Sequence, residues 1–456
     1  MLNHRRYILT LLLIPGLLAS AGARAGQRNT ALEIISRSPV LERFGLAPVV
    51  PVDQPRTMQE LLIMAINRNR GMRSVAARVV GALDLVPQAT ALPDPTLTLV
   101  EYLDPVETRV GPQQRGYQLS QSFPWFGTLG VRGDIQRAKA ATARARLDEQ
   151  ILAVITRVRT TALELAYLDS SIAVTHNHLM LLGQWEEAAQ GRYAAGRGAY
   201  AALVKTQVEL GKLSNRLAEL EDRRTPLLAE INADLDRSPE APLELDSLPV
   251  AFEGGLDQDE LVRAMDTTNP RLAGWDHEAA AAVLSRTLAA KRGKPSFTLG
   301  LNLIETGPAR MSGVADSGKN ALMATLGIRL PLWRGKYKAM ARQAASGLAA
   351  ADDARRQELN GLEAELSRAL FAHRDARRQA ELYGGALVPK ARQSLEAARA
   401  AFETGRGSYL DLIDAQRLLL EFQLAAVRAR IDLQIRQATI EQLIAAPLTT
   451  FAEIQS

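Results

Sequence analysis

Strict alternation of apolar and polar positions marks four short stretches of the chain. In "FTLGLNLI", Phe297, Leu299, Leu301 and Leu303 face one way, and Thr298, Gly300 and Asn302 the other. In "LMATLGIRL", Leu322, Ala324, Leu326, Ile328 and Leu330 oppose Met323, Thr325, Gly327 and Arg329. "PTLTLVEYL" and "GYQLSQSF" repeat the pattern earlier, the latter with Tyr117, Leu119, Gln121 and Phe123 on one side. A period of two predicts strands, and one apolar face over about ten residues is what a membrane-spanning barrel strand needs. A half-buried strand of a soluble domain gives the same signal, so each stretch alone leaves both open.

Each pair of strands is followed by a long stretch with a helical period. No proline interrupts Gly127 to Ala195, where Leu147, Ile151, Ile155, Val158, Ala162, Leu165 and Ile172 fall mostly three or four apart. This is the spacing of a coiled-coil seam, and such a helix would be on the order of 100 Å long at 1.5 Å per residue. The second stretch, Arg334 to Thr404, contains Pro389 after Gly384 and Gly385, which predicts a kink or break. Both stretches end in a cassette, "YAAGRGAY" at 193–200 and "FETGRGSY" at 402–409, beyond which alanine-rich amphipathic sequence resumes. Glycines flanking one residue between two helices predict a tight turn, because glycine accepts the left-handed backbone that ends the first helix.

The cassettes are one of three landmarks that recur in the same order. "LLIMAINRNRGM" at 61–72 aligns with "LVRAMDTTNPRL" at 261–272, and "QSFPWFGTLG" at 121–130 with "IRLPLWRGKY" at 328–337. A tandem duplication accounts for this. The expected organisation is a signal peptide at 1–25, an N-terminal extension at 26–56, a first repeat at 57–240, a linker at 241–256, a second repeat at 257–446 and a tail at 447–456. Strands are expected near 94–103, 116–123, 296–304 and 320–330, and helical hairpins near 127–237 and 334–446.

Charge and composition narrow the function classes. Arg5 and Arg6 precede an apolar run that ends on Ala23-x-Ala25, the layout of a cleaved secretory signal. Removing that segment lowers the formal charge from +5 to about +2, too small an excess to argue for nucleic acid. There is no cysteine, hence no disulfide, thiolate metal site or lipidated N-terminal cysteine. Past the signal no apolar run is long enough for a transmembrane helix, so a membrane would have to be entered as strands.

Enzyme chemistry finds little support. "GVADSGKN" at 313–320 imitates a phosphate loop, but Asn320 replaces the magnesium-binding hydroxyl and the segment joins two strands rather than opening a helix. His176 and His178 point about 200° apart on one helix and cannot share a metal. No catalytic residue, metal site or cofactor is expected. Asp411 and Asp414, one turn apart just past the second cassette, share a helix face. In a single chain they read as a solvated acidic face near a helix N-terminus; around an oligomer axis they would form a ring of acids lining a pore.

Taken together, "NPRL" at 269–272 with its partner "NRGM", "LPDPTLTL", "FPWFG", "LPLWRG" and the two cassettes, in duplicated order, resemble the TolC family of outer-membrane efflux channels. "LPDP" is most similar to the heavy-metal-type branch. The resemblance implies a mainly α fold with a β-barrel portion: long helical hairpins forming a trimeric periplasmic tunnel, below a transmembrane barrel to which each protomer gives four strands. It implies a passive conduit in the outer membrane of a Gram-negative bacterium, extending into the periplasm and contacting outer-membrane lipid. Its partners would be a periplasmic adaptor (membrane fusion protein) and an inner-membrane pump. By position, Gly196, Arg197, Gly198, Gly405, Arg406 and Gly407 fall at the adaptor-docking tips, and Asp411 and Asp414 at the pore constriction. A periplasmic coiled-coil adaptor or scaffold is the alternative that also needs long hairpins; its β-segments would lack a lipid-facing band.

Overall fold

The computed structural model describes residues 30–46, 53–196, 199–246 and 250–452. The signal peptide expected at 1–25 lies outside the described residues.

Two helices and two strands open each half. α1 (Met58–Arg68) and α2 (Arg70–Thr90) meet at Asn69, and β1 (Thr96–Glu101) and β2 (Gly111–Phe123) follow. A helical hairpin comes next, α3 (Thr128–Ala194) and α4 (Tyr200–Asp234). The order then recurs as α5 (Gln258–Thr268), α6 (Pro270–Arg292), β3 (Ser296–Thr306), β4 (Ala321–Arg329), α7 (Arg334–Ala380), α8 (Val388–Glu403) and α9 (Tyr409–Ile444). At 67 residues, α3 spans about 100 Å.

Asn69 and Asn269 do the same work in both halves. Each side-chain oxygen accepts from the following helix, from the Met72 and Arg271 amides, and so starts a new helix where the previous one stopped. Each side-chain amide also reaches the end of a hairpin helix: Asn69 donates to the Asp234 carbonyl at 3.2 Å, Asn269 to the Leu443 carbonyl at 2.7 Å. Both asparagines are buried, so these bonds hold the short helices against the hairpins where water cannot compete.

The four long strands form one antiparallel sheet in the order β1-β2-β3-β4, and a two-residue strand, Glu107–Thr108, pairs with the start of β2. Its central pairing, β2 with β3, joins the two halves, with Leu119 opposite Leu301 and Tyr117 opposite Leu303. The registers carry this row outward, Leu97 opposite Leu119 and Leu301 opposite Ala324. Every strand therefore turns its apolar set to one face, while Thr98, Gln118, Asn302 and Met323 line up on the other. The apolar face is bare: Leu97, Leu99, Leu299, Leu301, Leu322, Leu326 and Ile328 are all more than half exposed. β1 and β4 leave open edges. β2 begins at Gly111, five residues before its apolar alternation, because the strand continues as "GPQQR" past the apolar band.

Three findings lie outside the periodicity. The extension before α1 is part of the core: Ile35, Val40, Leu41 and Leu46 are at most 2% exposed and pack with Leu61, Met64, Ile151 and Ile155. Arg43 from the same segment donates to the Ala445 carbonyl at 2.8 Å. The helix does not break at Pro389: Glu381–Leu387 winds as a π-helix and continues into α8, with proline in that helix's first turn, where its missing N–H costs little. Finally, the seam of α3 turns polar between Leu168 and Leu182: the buried positions there are Ser171, Thr175 and His178, while Ile172 is only half-buried.

Candidate functional site at the hairpin tips

The tips are built by backbone geometry. After α3, Gly196 takes a left-handed φ of 66° and its amide bonds the Tyr193 carbonyl at 2.9 Å. Arg197 and Gly198 lie outside the described residues. After α8, Gly405 repeats the left-handed φ at 72°, and the Arg406 and Gly407 amides both donate to the Ala401 carbonyl at 2.9 Å. Such doubling satisfies carbonyls that the helix end leaves unpaired. Gly407 is needed for space: a Cβ there would lie 2.8 Å from that of Ala401. Among the described residues Arg406 reaches only Thr404, at its own tip, and it is exposed.

The start of α9 then turns the sequence into a contact between hairpins. Tyr409, Leu412, Ile413 and Gln416 form its buried face against Leu182 of α3 and Leu395 of α8. The Tyr409 hydroxyl donates to the Trp185 carbonyl of α3 at 3.0 Å and sits 3.1 Å from the Thr206 hydroxyl of α4. Burial raises its pKa, so it stays protonated and able to donate. Tyr200, its counterpart in the first cassette, is 62% exposed and only tilts against Tyr193. Arg192 of the first tip lies 4.0 Å over the Phe402 ring, a second cross-link between the tips.

Asp411 and Asp414 both lie on the exposed face of α9, with Leu418 and Glu421. Their roles differ. Asp411 closes a capping box, accepting from the Ser408 amide at 3.3 Å while Ser408 caps the helix. Asp414 pairs with Lys205 of α4 at 3.0 Å, across positions 209 residues apart, so the two cassettes carry opposite charges at equivalent places. At 62% side-chain exposure for Asp414, the pair is worth less than about 1 kcal/mol and leaves the carboxylate open to solutes.

Above the tips the same two hairpins are clamped more firmly. Arg428 of α9 makes a bidentate pair with Glu164 of α3 at 2.7 and 2.8 Å, and its guanidinium sits 4.9 Å from the Tyr167 ring. Glu164 and Asp432 hydrogen-bond it and raise its pKa. Arg159 of α3 pairs with Glu441. Between clamp and tips lies His178, 6% exposed, bonded through Nε2 to Gln423 at 2.7 Å, with its own carbonyl accepting from Gln416. Burial lowers its pKa. Among the described residues no three acidic or histidine side chains gather as a metal site.

Sequence reasoning missed Tyr409 as a contact, although the cassette displays it, because only the packing distinguishes it from Tyr200. Lys205 stands at the repeat position equivalent to Asp414, but their pairing requires α4 and α9 to lie side by side.

A duplicated hairpin of this length, carrying a four-stranded sheet with one apolar face, restricts the choice of family. Residues 261–446 match the family model described as outer membrane efflux protein. The chain resembles that family over its second half. It is the outer-membrane channel component of an efflux system, placed in the outer membrane and reaching into the periplasm. The chain is 27% identical over 410 residues to the cobalt-zinc-cadmium resistance protein CzcC of Cupriavidus metallidurans, covering 82% of this chain and 87% of that protein. The fold is that of TolC-type channels. VceC from Vibrio cholerae superposes with a TM-score of 0.70 at 17% identity, over 86% of this chain and 96% of that one. The open state of MtrE from Neisseria gonorrhoeae gives 0.70 at 17% identity, over 86% and 90%. Nothing in these relations favours the adaptor or scaffold alternative.

Proposed function

We propose that three copies of this chain pool their strands into one barrel and their hairpins into one tunnel, a passive conduit with no enzymatic step. The observation that carries this reading is the sheet: four strands with one bare apolar face and open edges at β1 and β4. Edges in lipid leave backbone groups unpaired at a cost of several kcal/mol each, and only closure with other copies removes them. We read the two repeats, 57–240 and 257–446, as copies of one unit, supported by the matching roles of Asn69 and Asn269.

In this assembly the glycine tips (Gly196 to Gly198 and Gly405 to Gly407) dock on a periplasmic adaptor that hands over solute from an inner-membrane pump. Asp411 and Asp414 line the constriction just inside, with Asp414 the more available because Asp411 is committed to its cap. The likeness to a cobalt-zinc-cadmium resistance protein and the "LPDP" segment support heavy-metal cations as the exported class.

Because the chain has no cysteine, introduced pairs report without background. Cysteines placed singly along β1 and β4 in one chain should give a covalent trimer on oxidation, and the purified trimer should conduct in planar bilayers. Monomer alone at every register, with no conductance, would refute the pooled barrel.

A further inference from the structure

The rim where the sheet meets the helices carries a charge pattern that the conduit does not use. Lys291, Arg292 and Lys294 end α6 and lead into β3, and Arg334, Lys336 and Lys338 begin α7 after β4. No acid occurs between Glu278 and Glu305 or between Asp316 and Asp352. Five of the six are exposed, and none has a carboxylate partner among the described residues. Lys291 bonds the Phe126 carbonyl at 3.1 Å, and Lys336 lies 6.0 Å from the Tyr337 ring. The two groups adjoin: a Cβ on Gly293 would lie 3.8 Å from that of Tyr337.

The opposite rim behaves differently. There Arg115 pairs with Glu101 at 3.0 Å, Arg310 with Glu107 at 3.4 Å and Lys319 with Asp316 at 3.6 Å. Helix energetics account only for Lys291 and Arg292, in the last turn of α6; the cations in the first turn of α7 oppose the helix dipole, and that turn holds no acid.

Apolar surface continues from the sheet into the basic rim. Trp125, Phe126 and Phe297 cluster at centroid distances of 5.7 to 6.3 Å, and Phe126, Leu332 and Trp333 are 76%, 73% and 78% exposed. Aromatic rings beside unpaired cations at the edge of a lipid-facing band match the headgroup layer of a bilayer. Since the helices leave from this rim toward the periplasm, the layer is that of the periplasmic leaflet.

We propose that this rim binds anionic phospholipid headgroups of the periplasmic leaflet, seating the barrel. The inference rests on the outer-membrane reading. Its partner is the membrane itself, recognised by phosphate charge rather than by one headgroup structure.

The test uses the full chain with Trp125, Trp185 and Trp275 replaced by phenylalanine, reconstituted in phosphatidylcholine vesicles containing phosphatidylglycerol, with one or the other lipid brominated. Quenching of Trp333 should show about a fivefold preference for the anionic lipid. Arg334→Gln, Lys336→Gln and Lys338→Gln together, or high salt on the unmutated rim, should bring it close to unity, while Arg109→Gln with Arg310→Gln at the far rim should leave it intact. Equal quenching by both lipids, or a preference that survives both the triple variant and salt, overturns the proposal; the latter would arise if acids of a neighbouring copy covered the cations. Absence of quenching by either lipid would instead refute membrane insertion itself, and with it the reading beneath.

Discussion

Replacing Tyr409 by phenylalanine should bias the conduit toward its open form. The change keeps the ring against Phe402 and the packing around Leu182, and removes only the hydroxyl that joins α9 to α3 and α4. Neither former partner is stranded: Trp185 lies inside α3, whose carbonyls are bonded within the helix, and Thr206 still donates to the Ala202 carbonyl at 2.9 Å. The loss is therefore that of one neutral hydrogen bond, about 1 kcal/mol per protomer. If the tips of three protomers separate together, the loss is roughly 3 kcal/mol, which shifts the ratio of open to closed channel on the order of 100-fold. Single-channel recording in planar bilayers reads this as open probability. The repeat supplies the control, since Tyr200→Phe removes a hydroxyl from the exposed counterpart and should change nothing. Equal effects of the two variants, or none from Tyr409→Phe, would refute the argument that the Tyr409 contact holds the hairpins together.

Further outcomes follow from the same region. Asp414→Asn should lower cation selectivity, whereas Lys205→Met should raise it by freeing the carboxylate; reversal potentials in a salt gradient measure both, and unchanged values would return Asp414 to a solvated surface role. Gly407→Val should abolish export while leaving trimers intact on native gels, because the added branches meet Ala401. Asp411→Ala should cost about 1 kcal/mol of helix-end stability through its cap, seen as faster hydrogen exchange in the first turn of α9. His178 binds a proton less readily folded than unfolded, so its burial favours the folded state above the ordinary histidine value near 6.5, a contribution lost as pH falls from there toward the lowered folded value. Hydrogen exchange around residues 170–190 should accelerate over that window, and His178→Gln should flatten the response.

How much was legible from sequence depended on how local the cause was. The strands are readable because the two faces of the sheet differ: Leu299 and Leu326 share the bare apolar face while Thr298 and Thr325 share the polar one, which writes a period of two directly into the chain. The turns are readable because Gly196 and Gly405 need a left-handed backbone. By contrast, nothing in "SIAVTH" announces that Ser171 and Thr175 take the buried seam from Ile172; the phase of a long helix drifts against its partners, and only the partners fix it. The same limit hid the π-helical turn, which the glycine pair and Pro389 suggested as a kink or break. At the tips, the sequence placed Asp411 and Asp414 on one face, but the separation of their roles required Ser408 and Lys205 in space.

The contact between Arg43 and the Ala445 carbonyl spans 402 residues. Ile35, Val40 and Leu41 share its core with Ala445 itself, beside the hairpin ends. In an exported chain threaded from its N-terminus, Arg43 crosses the inner membrane 402 residues ahead of Ala445, part of the surface that buries its segment. Final closure of that core must therefore wait until Ala445 has crossed. Until then the early segment is covered only by the parts of the core already across, Leu61, Met64, Ile151 and Ile155 among them, and a truncation before 445 would leave that core incomplete at the opposite end of the chain.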